Sequence, residues 1–350
     1  MSPARREPLV AVLTPVHDGE AHLRRCMESV LRQGYGNWIH LVVDNASSDR
    51  TLAIANEIAG RDPRIRVLPH RRFVGMSENF NRGLAAVPDE AVFVKQLHAD
   101  DTLYPETLAR MVEAAEAFPE AAMVTGRRHA AGELKPDGGP DTLELVPGKV
   151  IARAILLGGV NYLGTPSLPL LRRAHMAGWP ALFDTWSFPP RHPGSPAFCA
   201  GDRDAYLPTL AQRDVVFVPR ALIDQRMGGP SATGFAQRVG GWRPAQIELL
   251  LRHGRTFLGR REYRRSLLDA TLRYAGSLAW RSARGALRDA EFVGYQRFAI
   301  EHVVARLQDE QLHAEALLLA PFAALLHRAT AGGPRALADQ LSARTPNRAK

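Results

Sequence analysis

The sequence predicts an α/β protein: a mostly parallel sheet with helices on both faces, followed by a helical C-terminal region. Three observations predict it. The first 130 residues alternate short apolar runs with stretches of helical period, the strand–helix–strand order that builds parallel sheets. The runs are apolar almost throughout, as strands covered on both faces are. After about Trp242 the pattern becomes helical and rich in arginine to the end.

Taken in order, the strands are LVAVLTPV (Leu9 to Val16), IHLVVDN (Ile39 to Asn45), IRVLPH (Ile65 to His70), AVFVKQLH (Ala91 to His98) and AAMVTG (Ala121 to Gly126). In the first helix Leu23, Met27, Val30 and Leu31 share a face, with Asp18 placed to cap its start. In the next, Leu52, Ala55 and Ile58 follow Ser47 or Ser48 as cap. Leu108, Met111, Val112 and Ala115 follow Pro105, a residue suited to a first turn. The loop-rich segments KPDGGPD and SFPPRHPGSP then precede one more strand, VVFVPRALI (Val215 to Ile223). No repeat of solenoid spacing occurs. The expected division is a catalytic domain over 1–240, in halves of about 1–130 and 131–240, and a helical, arginine-rich region over 241–350.

With 350 residues and 45% apolar content the chain fills a substantial core. Its two cysteines, Cys26 and Cys199, are far apart, which excludes a disulfide scaffold and a cysteine zinc site and makes a reduced, cytoplasmic setting the expectation. MSPARREP lacks the apolar stretch of a signal peptide, and Ala314 to Leu326 is interrupted by Glu315 and Pro321 and too short to span a bilayer. The net charge of +9 is local: Arg252 to Arg288 holds ten arginines and two acids, Glu262 and Asp269, a net of +8. That points to an anionic partner.

In open parallel sheets ligands bind beyond the carboxyl ends of the strands. Asp44 ends the second strand, Asp100 the fourth, and Thr14 and Pro15 lie near the end of the first. Neither a dinucleotide glycine fingerprint nor a P-loop is present, nor a zinc-protease or nucleophile-elbow motif. Carboxylates without a glycine cradle suit a diphosphate held through Mg²⁺ or Mn²⁺.

The ordered segments TPVHDGEAHLRRCMESVLRQ, VVDNASSDRT, FVGMSENFNRGLAA and HADDTLYPETL resemble the family 2 glycosyltransferases of the GT-A fold. NYLGTPSLPLLRR, GDRDAYLPTL and VVFVPRALIDQRMGGPSAT resemble that family's acceptor half. The resemblance implies an inverting, hexosyl-type transfer from a nucleoside-diphosphate sugar, usually UDP-linked, to an acceptor hydroxyl in glycan biosynthesis. It implies that Thr14, Val16 and Asp44 hold base and ribose, that Gly75, Ser77 and Asn81 line the same pocket, and that Pro15, Asp18 and Asn45 complete the donor contacts. HADD stands where the family has D-x-D, making Asp100 a ligand of Mn²⁺ or Mg²⁺ with His98 in the place of the first acid. Asp202 becomes the expected general base, ahead of Asp204. His98 brings no negative charge, a departure that points to weaker metal affinity. QRVGGW departs from the Q-x-x-R-W of membrane-embedded polymerases.

From the residues alone, Asp101 reads as a cap for the helix near Pro105, and His17, His175 and Cys26 as packing or surface residues. The arginines suit packing on the catalytic domain, a partner helix or an anionic membrane at the inner face, where a lipid-linked acceptor would lie. Nucleic acid is not expected, because no recognition motif accompanies them. Two other readings are a nucleotide-sugar-binding protein without turnover and a basic nucleic-acid-binding protein.

Overall fold

The computed structural model describes residues 7–135, 138–159, 162–183, 200–228 and 232–331. They form two compact units that part between Met227 and Gly228.

The first unit is built on a ten-stranded sheet. Its strands are β1 (Leu9–Val16), β2 (Trp38–Asp44), β3 (Ile65–Pro69), β4 (Ala91–Gln96), β5 (Thr102–Leu103), β6 (Met123–Ala130), β7 (Glu133–Leu134), β8 (Glu144–Val146), β9 (Leu170–Arg172) and β10 (Val215–Gln225). The order is β3-β2-β1-β4-β9-β6-β10-β5, with β7 on β6 and β8 on β10. The long ladders β1–β2, β1–β4, β2–β3 and β6–β10 are parallel. The short strand β9 is antiparallel to both β4 and β6 and lies between them, so the sheet is mostly but not wholly parallel, in keeping with the expectation. Two or three residues are too few to show a period, and for that reason β5, β7, β8 and β9 were not legible.

β2 reads WIHLVVD and is buried at every position, as a strand covered on both faces must be. On one face lie α1 (Leu23–Leu31), α2 (Thr51–Ala59) and α4 (Thr107–Ala117), whose Leu23, Met27, Val30, Ile54, Ile58, Leu108 and Met111 share a core with Val10, Val12, Val42 and Phe93. On the other lies α3 (Met76–Ala85), held close by Gly83: a Cβ there would sit 2.5 Å from Leu13 Cδ1 and 3.1 Å from Val43 Cγ2. The remaining helices of this unit are α5 (Gly148–Leu156) and α6 (Gly201–Leu210).

The helix starts differ from the expected ones. Asp18 does not cap α1, whose N-cap is His22; neither Ser47 nor Ser48 caps α2, whose N-cap is Arg50. α4 begins two residues after Pro105, behind Glu106. The side chains read as caps are used instead to tie one loop to another, as described below.

The second unit consists of α7 (Ala232–Val239), α8 (Trp242–Phe257), α9 (Arg260–Ala283), α10 (Ala290–Asp309) and α11 (His313–Ala331). Its interior includes Ile247, Leu250, Leu267, Tyr274, Phe292, Ile300, Val303 and Leu319. Buried Glu248 is paired with His302 at 3.1 Å and Arg306 at 3.6 Å, which joins α8 to α10. Among the described residues no helix is long and apolar enough to cross a membrane.

Candidate active site

The carboxyl ends of β2, β1 and β4 lie side by side, and the loops that leave them carry the polar groups. The loop after β1 and the loop after β2 are laced together. Asp18 accepts from the Ser48 backbone N–H at 2.7 Å, and its own N–H donates to Ser47 Oγ at 2.9 Å. Gly19 N–H reaches Thr51 Oγ1 at 2.7 Å, Glu20 N–H reaches Asp49 at 3.0 Å, and Arg50 N–H returns to Glu20 at 3.0 Å. Asp18 sits at φ 47°, a left-handed backbone that Asp tolerates because its short polar side chain bonds locally. His17, read as packing or surface, adds to this lacing: Nδ1 meets Asn45 O at 3.0 Å and Nε2 lies 3.4 Å from Asp18.

Asp44 is buried. One carboxylate oxygen accepts from Ser47 N–H at 3.3 Å; the other, Oδ1, is buried with no protein partner. A buried acceptor without a donor costs free energy, so this atom suits a ligand that brings its own N–H or O–H. Pro15 is half-buried beside it on β1.

Several residues expected to face a donor are otherwise engaged. Thr14 is fully buried, its hydroxyl 2.9 Å from His40 Nε2, and Val16, buried too, ends β1 in register with Asp44. Asn45 spends both ends of its amide on the Val74 backbone, at 2.9 and 3.0 Å. Asn81 does the same with Phe183. These two are clamps that hold the segment before α3 and the segment at Phe183. Gly75, the N-cap of α3, has open space where a Cβ would stand, and half-buried Ser77 follows it in the first turn.

At the end of β4, His98, Asp100 and Asp101 bring ligand atoms within 4.8 Å of one another. Their situations differ. Asp101, expected to cap α4, is buried and accepts from Ser167 Oγ at 2.5 Å and from Arg226 N–H at 3.0 Å. Burial pushes its carboxyl above the ordinary range, with His98 and these donors pulling the other way. Asp100 and His98 are partly exposed, and Asp100 faces the Arg226 guanidinium at 3.4 Å. A carboxylate and an imidazole beside a second acid form a donor set that fits Mn²⁺ or Mg²⁺. Among them Asp100 and His98 keep partial exposure, while buried Asp101 holds the loop.

Sequence reasoning missed what fixes that loop. Ser167 is fully buried; it donates to Asp101 and accepts from His98 N–H at 2.9 Å. Lys95, fully buried, donates to the carbonyls of Ser167 and Leu168 at 2.5 and 2.6 Å, and burial lowers its ammonium to about 7. A charged residue inside the apolar run AVFVKQLH was the available signal, because a buried lysine must find oxygen partners. Cys26 is buried and donates to His98 O at 3.4 Å, so its packing role extends to the same loop.

Asp202 lies in the first turn of α6, half-buried, with its carboxyl raised by burial and held back by Arg203 and His98. One turn on, Tyr206 donates to Gln96 at 2.9 Å and pins α6 to the end of β4. Asp204 is buried. Cys199, and the loop segments around 136–137 and 184–199, lie outside the described residues.

Comparison with known proteins adds to this geometry. Residues 11–176 match the family described as glycosyl transferase family 2. The O-antigen biosynthesis protein RfbC of Myxococcus xanthus is 41% identical over 152 residues, 40% of this chain and 12% of that one. EpsJ of Bacillus subtilis, an uncharacterized glycosyltransferase, is 31% identical over 109 residues, 31% of each chain. The chain thus spans about an eighth of the first and a third of the second. Among solved structures, TarS of S. aureus in complex with UDP superimposes with a TM-score of 0.57 at 16% identity, over 93% of this chain and 88% of that one. That likeness extends the fold correspondence over nearly the whole chain.

Proposed function

From the premise that this chain is a family 2 glycosyltransferase of the GT-A fold, we propose that it moves a sugar from a nucleoside diphosphate to an acceptor hydroxyl with inversion, using Asp202 as base. The observation that carries the reading is the buried Asp44 Oδ1, an acceptor without a donor at one strand end, two strands from the acid pair that follows β4.

In this reading Asp44 takes a hydrogen bond from the base or ribose of the donor, with Pro15 and the Gly75–Ser77 turn beside it. UDP is the favoured nucleotide, supported by the UDP and UDP-GlcNAc complexes of TarS. Asp100 and His98 would hold Mn²⁺ or Mg²⁺, which when bound offsets charge on the departing diphosphate. Arg226, already beside Asp100, offers a second positive charge to a phosphate oxygen. Asp202 accepts the proton of the acceptor hydroxyl as that oxygen attacks the anomeric carbon; a carboxyl raised by burial is a stronger base than an exposed one. Lys95, Ser167 and Tyr206 keep these groups in place. The catalytic region is then about 1–240, with donor contacts in 1–130 and the acceptor side in 131–240. A lipid-linked acceptor is the class that suits the basic second unit.

The test is release of nucleoside diphosphate from a panel of UDP-, GDP- and dTDP-sugars, with and without EDTA, by the parent chain and Asp100→Ala. Release that both EDTA and Asp100→Ala abolish supports the reading. If UDP raises the melting temperature but no donor turns over, the chain binds nucleotide sugars without catalysis. Turnover indifferent to EDTA sinks the cation role of Asp100 and His98.

A further inference from the structure

The exposed side of α9 combines two kinds of group that a merely solvated face would not. Arg260, Arg261, Arg264 and Arg265 are exposed and have no ion-pair partner among the described residues. On the same side, Leu268 is 41% exposed, Leu272 49% and Trp280 56%. Tyr263, Leu267, Ala270, Tyr274 and Leu278 already form the buried stripe, so this second apolar set takes no part in the unit's core.

Helical spacing lines these groups up. Arg261, Arg265, Leu268 and Leu272 follow one another along neighbouring ridges. Trp280 lies about 18 Å beyond Leu268 along the axis. Exposed Gly276 and Ala279 keep the surface between them low. The Arg284 guanidinium lies 4.3 Å from the Trp280 ring centroid. Asp269, an acid on this side, is taken up by Arg273 at 2.7 Å and does not neutralise the four arginines.

We propose that this face of α9 docks on an anionic lipid bilayer, with the arginines among the headgroups and Leu268, Leu272 and Trp280 entering the interface. A helix with leucine and tryptophan flanked by arginine has the chemistry of an interfacial helix. Arginine and tryptophan each join an apolar body to a polar end, which suits the boundary between headgroup and acyl chain. The other occupants fit less well. Nucleic acid would engage the arginines and leave the leucines and Trp280 in water. A second copy related by a two-fold axis would bring arginines against arginines.

Co-sedimentation of the full chain with phosphatidylcholine vesicles, with and without phosphatidylglycerol, tests the inference. Binding is expected only with phosphatidylglycerol and is released by salt. Each arginine contributes about fivefold to partitioning, so R261Q/R264Q/R265Q lowers it roughly 100-fold. L268S/L272S lowers it about tenfold or more while leaving the salt dependence in place. The parent-minus-W280F emission spectrum shifts to the blue on phosphatidylglycerol vesicles. All changes are at exposed positions, and circular dichroism checks that the helices persist. Equal, weak binding to both vesicle types overturns the proposal. So does L268S/L272S binding like the parent, which would leave only loose charge attraction. A dimer in sedimentation velocity that L268S/L272S dissolves assigns the face to a second copy instead.

Discussion

Ser167→Ala separates two roles that meet at the end of β4. The hydroxyl makes two bonds, a buried one to the Asp101 carboxylate and a part-buried one from the His98 N–H. A hydrogen bond to a charged group contributes about 1.5–3 kcal/mol, and a buried N–H left without a partner costs about 1–3 kcal/mol. Asp101 retains its bond from Arg226 N–H, which holds the total near the low end, about 3 kcal/mol. For a region of roughly 200 residues, each kcal/mol moves Tm by about 2–4 °C, so a fall of roughly 6–12 °C is expected. The assay pairs urea or thermal unfolding with UDP affinity and donor turnover. Asp44 belongs to β2 and does not share the Ser167 bonds, so UDP binding should persist while turnover falls with the loosened Asp100 and His98. Unfolding within about 0.5 kcal/mol of the parent would refute the reasoning, since surface changes of that size are ordinary.

Asp44→Ala is expected to weaken UDP at least about tenfold by calorimetry, because a hydrogen bond to a charged group is lost; unchanged affinity would remove Asp44 from the nucleotide site. Asp202→Asn should lower turnover by about 10²–10⁴-fold with donor affinity nearly untouched, and if Asp204→Asn does this while Asp202→Asn does not, the base is two residues further on. His40 gives a pH prediction. Burial lowers its imidazole to about 3, so it stays neutral in the fold while the unfolded chain protonates below about 6.5. The stability tied to neutral His40 is complete above that pH and is lost as pH falls toward 3, by roughly 1.4 kcal/mol per pH unit. His40→Gln should flatten this part of the Tm–pH curve; an equally steep fall in the variant assigns the loss to other groups.

The long parallel strands and α1, α2 and α4 were legible because each is long enough to show its period in apolar residues. β9 and α3 were not: the first is three residues long, and the second carries Ser77, Asn79 and Asn81 on a helix that turns polar groups inward. At the site, the strand-end acids Asp44 and Asp100 could be picked out because their positions follow from strand lengths alone. What the sequence could not show is the competition for each polar side chain. Asn45 and Asn81 bond backbone groups and Thr14 meets His40, partners that only the fold brings within reach. Asp101 and Asp100 are neighbours in sequence and opposite in role, and only Ser167, some 66 residues away, decides which is which.

The antiparallel β9 has a consequence for how the chain is assembled. It joins β4 and β6, whose facing edges stay open until residues 170–172 arrive. Everything before that point is a half-finished sheet with two sticky margins, of the sort that recruits foreign strands. A nascent chain of the first 130 residues or so therefore lacks a strand its sheet needs, and closure waits on contacts that span about 75 residues, which slows the search for the native pairing. Lys95 lies on the same side of that gap: its ammonium meets the carbonyls just ahead of β9. Cutting the chain after about residue 130 should yield aggregates in place of a small nucleotide-binding protein, whereas one carried past Gln225 has both β9 and β10, the strands that close the two edges of β6.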